Sequence, residues 1–145
     1  MSTMNGMNIS ASGMTAQRLR MDIISQNIAN VNTTRDEHGN VYKRKAVVFA
    51  EKNVTPFGEV LMKTAGNVGN GVKVTRIVQD NHADMRKVYD PSHPDADDDG
   101  YVTYPNVNTV QEMTDLIDAT RSYEANVTAF NAAKNIALKG LEIGK

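Results

Sequence analysis

Cysteine is absent from this chain, which excludes a disulfide framework, a thiolate zinc site and a thiol nucleophile. Tryptophan is absent too, and aromatic residues make up only 6% of 145 residues. A single domain is the expectation at this length, with a modest core; mean hydropathy is -0.45. Neither charge sign dominates, because 16 Lys+Arg stand against 17 Asp+Glu. Such a balance supplies no long-range field toward phosphate backbones or anionic lipids, so nucleic acid and membrane surfaces are not expected partners. No apolar run reaches transmembrane length. The N-terminal stretch MSTMNGMNISASGMTAQRLR lacks a basic region followed by an unbroken apolar one, so any export is expected to proceed without a cleaved secretory signal.

Catalytic motifs are equally scarce. G-x-S-x-G, the Walker A loop and G-x-G-x-x-G do not occur, and Gly66 to Gly71 has neither the strand-to-helix context nor the Lys of a phosphate cradle. His38, His82 and His93 are scattered rather than set one helical turn from another ligand. Neither an enzymatic activity nor a cofactor is expected. Asp95-Ala96-Asp97-Asp98-Asp99-Gly100 does match the opening of a calcium loop, which makes a small calcium-binding module using Asp95, Asp97 and Asp99 the alternative reading. Position twelve of that loop should be a bidentate Glu, yet it is Asn106, preceded by Pro105. The entering segment Asp90-Pro91-Ser92-His93-Pro94 cannot be helical either, so an acidic surface turn is the preferred reading.

What the chain does have is helical periodicity at its two ends. From about Ile9 to Asn32, Met14, Met21, Ile24, Ile28 and Val31 recur at steps of three, four or seven, with Ile9, Ala16, Leu19 and Ile23 widening the stripe. Ser10 or Ser12 is a candidate cap, and the polar stretch from Asn32 to Thr34 a candidate stop. A second helix is predicted from about Thr109 to Gly140, where Met113, Leu116, Tyr123, Val127, Phe130, Ala137 and Leu141 alternate in threes and fours beside Val110, Ile117 and Leu138. Thr109 with Glu112, and Asn108 with Gln111, have capping-box spacing. Gly140 or Gly144 is the candidate C-terminal cap.

The middle reads as strands: Val41 to Ala50, Glu59 to Met62, Val72 to Val78 and Met85 to Tyr89. Within Val72 to Val78, simple alternation puts Val72, Val74 and Arg76 on one face and Lys73, Thr75 and Ile77 on the other. Gly66 to Gly71 reads as a turn or flexible loop, and Asp90 to Asn106 as a proline-bounded segment. The architecture expected is α+β: long N- and C-terminal amphipathic helices forming a coiled-coil-like layer, around a small β-rich middle. The segments are 1-34, 35-106 and 107-145, with the helical ends packing as one unit. The second helix would run roughly 45 to 50 Å, against about 40 Å for a compact globule of this length. One end must then project, and a projecting apolar face requires a partner.

Inside the second helix, Arg121-Ser122-Tyr123-Glu124-Ala125-Asn126 is a dense polar patch. It reads equally as a solvated face, with Asp118, Arg121 and Glu124 paired across a turn, or as hydrogen-bonding groups that fix register between helices. Asn27 and Asn30, beside the first stripe, leave the same two readings open. These residues also carry a resemblance. Ser12-Gly13-Met14-Thr15-Ala16-Gln17, Arg20-Met21-Asp22 and Asn27-Ile28-Ala29-Asn30-Val31-Asn32-Thr33 resemble the N-terminal signature of the bacterial flagellar basal-body rod and hook axial proteins. Thr120 to Asn126 resembles the matching C-terminal end of that family. The string from Tyr89-Asp90-Pro91 through Pro94-Asp95-Ala96 and Gly100-Tyr101-Val102 to Pro105-Asn106-Val107 is similar to its proximal rod members. Thr34 to Tyr42 departs from the shortest members, in which an aromatic residue follows the first signature closely.

The resemblance implies a non-enzymatic subunit of the basal-body rod, the shaft that transmits motor torque, in the periplasmic or cell-wall space. It implies export through the flagellar type III apparatus without signal cleavage. Its implied partners are other copies of the chain, other rod proteins, the membrane-ring junction and that export apparatus, with no small-molecule substrate. The implied assembly interface joins Met14, Met21, Ile24, Ile28, Asn30, Val31 and Thr33 to Met113, Leu116, Ile117, Thr120, Arg121, Tyr123, Glu124, Asn126, Val127, Phe130 and Leu141. Free termini are expected to be largely disordered until captured by the growing end.

Overall fold

The computed structural model describes residues 3–52 and 69–143. Helix α1 spans Thr3–Ala29, strand β1 Lys45–Glu51, β2 Val72–Gln79, β3 Arg86–Tyr89, β4 Tyr101–Tyr104 and helix α2 Thr109–Ile143. Two long terminal helices pack together, and two small antiparallel sheets, β1–β2 and β3–β4, lie between them in sequence. The α+β expectation therefore holds, with differences at the element ends.

Helix α1 begins six residues before the expected Ile9, so Ser10 and Ser12 are interior and cap nothing. Ser12 instead donates to the Ile9 carbonyl at 2.7 Å and accepts the Val72 N–H at 3.0 Å, joining the helix to the start of β2. The helix also stops earlier than Asn32. Asn30 Nδ2 donates to the Gln26 carbonyl at 2.9 Å while its Oδ1 accepts from Thr33 Oγ1 at 3.1 Å, so the competition of polar side chains for backbone groups acts three residues sooner. At the start of α2, Asn108 Oδ1 accepts the N–H groups of Val110 at 3.0 Å and Gln111 at 3.4 Å, which makes Asn108 the cap. The Thr109–Glu112 capping box does not form, because the Glu112 side chain turns toward α1. Gly140 is inside the helix rather than ending it. Gly144 lies outside the described residues, as do the strand expected at Glu59 to Met62 and the first part of the Gly66 to Gly71 turn.

Strand β1 is shorter at its start than the expected Val41 and runs on to Glu51. In its pairing with β2, Phe49 faces Val74 while the adjacent Val48 faces Arg76, which leaves Thr75 as an extra residue. Cross-strand partners share a face and neighbours along a strand do not. Val74 and Arg76 are therefore on opposite faces, contrary to simple alternation: the bulge gathers Val72, Val74 and Ile77 on one face and Lys73, Arg76 and Val78 on the other. Strand β4 was not expected within Asp90 to Asn106; its Val102 is fully buried and pairs with Val88 of β3.

The buried apolar residues are Ala16, Ile23, Ile24, Val102 and Ala119 among those described, a core as small as the composition implies. The helices run antiparallel, since Asn27 meets Glu112, Met21 meets Thr120 and Gly13 meets Asn126. At Gly13 a Cβ would stand 2.7 Å from Asn126 Oδ1, so the helices come close here and a larger residue would displace the Asn126 side chain. With 27 and 35 residues the helices are about 40 and 52 Å long. Extending the pairing at equal rise puts the start of α1 level with about Ile136, so the last turns of α2 run past it.

Candidate assembly interface

The densest polar structure lies where α1, α2 and β1 meet. Asn27 and Glu112 are both 0% exposed. Asn27 Nδ2 donates to the Lys45 carbonyl at 2.8 Å and to Glu112 Oε2 at 2.9 Å, and Oδ1 accepts from Tyr42 Oη and the Lys45 N–H, each at 2.9 Å. Every hydrogen-bonding site of that amide is used, and both backbone groups of the first β1 residue are tied to the helix. Arg44 Nε reaches Glu112 Oε1 at 2.6 Å, and Arg44 and Arg20 each reach an oxygen of Asp115 at 3.3 Å. Two guanidinium groups thus balance two carboxylates, the arrangement that lets a charge be buried. Burial first, and the charge of Glu112 second, push the Tyr42 phenol above its usual value, so it stays a donor.

The segment from Thr34 to Tyr42 ends on the same contact. Asp36 Oδ1 accepts the N–H groups of His38 and Asn40, each at 2.8 Å, and Gly39 has a positive φ of 80. The resulting turn returns Tyr42 to Asn27.

The acidic segment is similarly committed within the chain. Asp95 accepts from Thr34 Oγ1 at 2.6 Å and pairs with Arg35 at 3.3 Å, while Asp97 Oδ1 accepts the N–H groups of Asp99 at 3.2 Å and Tyr101 at 2.8 Å. Asn106, at the position where a calcium loop places Glu, accepts the Arg44 N–H at 2.9 Å and donates to the carbonyls of Asp80 at 3.0 Å and Ala83 at 3.4 Å. A carboxylate could not donate, so the amide, and not the Glu of a calcium loop, suits this clasp between the two sheets. Among the described residues no three His, Asp or Glu side chains are grouped to hold a metal ion.

The structure distributes the expected interface residues unevenly. Ile24 is buried; Met14, Met21, Ile28, Asn30, Val31 and Thr33 are half-buried, as are Leu116, Tyr123, Asn126, Val127 and Phe130. Met21 Sδ accepts from Thr120 Oγ1 at 3.6 Å, and Asn126 Nδ2 donates to the Ser122 carbonyl at 2.8 Å. Met113, Ile117, Thr120, Arg121, Glu124 and Leu141 are exposed, Leu141 at 72%. No ion pair joins Arg121 to Asp118 or Glu124 among the described residues. Val110, Met113 and Ile117 form an outward apolar stripe at helical spacing, on the side away from Glu112 and Ala119. Beyond Ala119 no described residue of α2 is buried.

Sequence reasoning missed Arg20, Tyr42, Arg44 and Asp115, and read Glu112 as a cap. The available signal was Asn27, an amide between Ile23, Ile24 and Ile28 on a buried stripe, which demands partners with both donors and acceptors.

Comparison with known proteins was consistent along the chain. Residues 7–35 match the family model described as flagella basal body rod protein, and residues 98–143 match the one described as flagellar basal body rod FlgEFG protein C-terminal. The flagellar basal-body rod protein FlgC of Bacillus subtilis (strain 168) is 49% identical, with 100% of each chain covered. Its counterpart in Borreliella burgdorferi is 42% identical over 99% of this chain and 98% of the relative. That of Escherichia coli O6:H1 is 37% identical over 100% of both. With helical signatures at both ends and full-length likeness between them, the chain belongs to the FlgC family of flagellar basal-body rod proteins.

Proposed function

We propose that this chain is a structural, non-enzymatic subunit of the proximal flagellar rod, and that it assembles through its terminal helices into the shaft that transmits motor torque. Segments 1-34 and 107-145 act as one helical unit, and 35-106 is carried outside it. The observation that carries this reading is the state of α2: apolar side chains at Val110, Met113, Ile117, Ile136, Leu138 and Leu141 are exposed in the single chain. Full burial of one such side chain contributes about 1.5–3 kcal/mol, so neighbouring subunits would gain much by covering them. Other copies of the chain and other rod proteins are the partners this favours, with contacts to the membrane-ring junction and passage through the flagellar export apparatus before assembly. The place of action is the basal body in the periplasmic or cell-wall space.

The test is Met113→Asp combined with Ile117→Asp. Both side chains are exposed, so the purified variant is expected to keep the parent's urea midpoint within the range of surface substitutions. Cells carrying it in place of the parent are expected to lack complete basal bodies by electron microscopy, because two carboxylates would be desolvated in the helix layer. Normal basal bodies and motility would refute the assignment of this stripe to assembly.

A further inference from the structure

The bulge in β2 has an outcome for surface chemistry. It places Lys73 and Arg76, both exposed, on the same sheet face as Ala46, Val48 and Val78, by their pairing in the ladder. This face is cationic with small apolar ground between the charges. At the far end of the β3–β4 hairpin the chemistry is the reverse. Tyr89, 64% exposed, and Tyr101 pack edge to face with ring centroids 5.3 Å apart. The adjoining turn carries Asp97, Asp98 and Asp99, all exposed. Aromatic faces and carboxylates are the two groups that best receive an arginine.

These two surfaces cannot meet within one chain. The hairpin turn is tied through Asp95 to Thr34 and Arg35, past the C-terminal end of α1. The sheet runs back along α1 from Asn27, which holds Lys45, to Ser12, which holds Val72. Fifteen helical residues separate those levels, about 22 Å, and Arg76 pairs midway along the strand. A copy displaced along the helix axis brings the opposed chemistries together.

Resting on the rod reading, we propose that the face of β1–β2 carrying the exposed Lys73, Arg76 and Val78, centred on Arg76, receives the Tyr89–Tyr101 hairpin end and its acidic turn from a second copy of this chain. The contact joins unlike surfaces of copies displaced along the axis, and the displacement lets it repeat without closing into a ring. It adds a polar, register-setting contact outside the helical layer.

The chain has no cysteine, so every thiol it carries is an introduced one. Arg76→Cys and Asp98→Cys are combined in the full-length chain, which is expressed in place of the parent. Isolated basal bodies are then oxidised with a copper–phenanthroline complex and run on non-reducing gels. A ladder of covalent multiples in the double variant, absent from each single variant, is the expected result. The double variant present in basal bodies but uncrosslinked, or crosslinked only to a different protein in a further cysteine-bearing strain, overturns this contact while leaving the rod reading intact. Absence of the parent chain itself from basal bodies overturns both. If the cysteine pair fails to incorporate, charge exchange decides. Arg76→Asp and Asp98→Arg are each expected to lower basal-body number several-fold, and their combination to restore it; no restoration overturns the contact.

Discussion

Between Thr109 and Ala119, α2 is held by its own chain, with Glu112 and Ala119 fully buried and Asp115 bridging two arginines. Between Thr120 and the C-terminus, no described side chain of the same helix is buried. One continuous helix thus has a first part with one face finished in the monomer and the other, at Val110, Met113 and Ile117, open to solvent, and a longer second part whose described side chains are at most half-buried. The contrast assigns stability to the junction and, on the proposed reading, assembly to the outward stripe at Val110, Met113 and Ile117 and to the far part of the helix. Substitutions that act on one half and spare the other test whether these tasks are separable.

The largest effect is expected from Glu112→Ala. It leaves the Asn27 amide facing a void and Arg44 with Asp115 as its remaining partner, and losing hydrogen bonds to a buried charged group costs about 3 kcal/mol. The urea midpoint of the purified chain should fall accordingly, a large fraction of the stability of a domain this small. Leu141→Asp, at the exposed end, should leave that midpoint within about 0.5 kcal/mol of the parent. Equal losses from both would erase the distinction. Asn27→Ala comes next, at about 2 kcal/mol, since buried donors and acceptors are left without partners. It should also loosen β1, seen as faster hydrogen exchange at the Lys45 amide.

A single type of substitution can sharpen the comparison further. Gly13→Ala puts a methyl group against the Asn126 side chain, whereas Gly140→Ala meets nothing within 4 Å. The first is expected to destabilise by about 1–3 kcal/mol through overpacking. The second should stabilise by about 0.5–1 kcal/mol, because alanine loses less backbone entropy in a helix. Thermal melts of the two variants should shift in opposite directions. A shared direction would mean that the Asn126 side chain turns aside for the added methyl group.

Which of these features the sequence revealed follows from how local their causes are. The stripes of Met21, Ile24 and Ile28 and of Leu116, Tyr123 and Phe130 depend only on helical period, and both helices were legible from them. Glu112 was misread because its distance from Thr109 fits a cap, while the pull of Arg44 and Asn27 comes from residues 68 and 85 positions away. The bulge at Thr75 is invisible in β2 alone, since it exists only relative to Val48 and Phe49 of the partner strand. Strand β4 escaped because four residues between Gly100 and Pro105 are too short for alternation to register, although Val102 is among the most buried side chains described. The acidic run was legible as a turn, but its attachment to Thr34 and Arg35 requires contacts across 61 positions.

The smallest effect concerns pH, and it separates the middle region from the helical pair. Asp36, Asp80 and Asp90 all lie in turns between α1 and α2, and each carboxyl is held below its ordinary value of 3.8, led by a backbone N–H bond from Asn40 at Asp36, one from His82 at Asp80, and the Ser92 side chain at Asp90. A carboxylate whose folded value is lowered contributes stability above its unfolded value and loses it as pH falls through the folded one. The contribution from these turns should therefore be complete near pH 5 and decline as pH drops below about 3.8. Asp80→Asn isolates the charge, because the amide oxygen can still accept from the His82 and Ala83 N–H groups that Asp80 Oδ1 now holds at 2.9 and 3.2 Å. Its urea midpoint should lie below the parent's at pH 5, with the gap narrowing at pH 3. An offset of the same size at both values would show that the lost term is geometric rather than electrostatic.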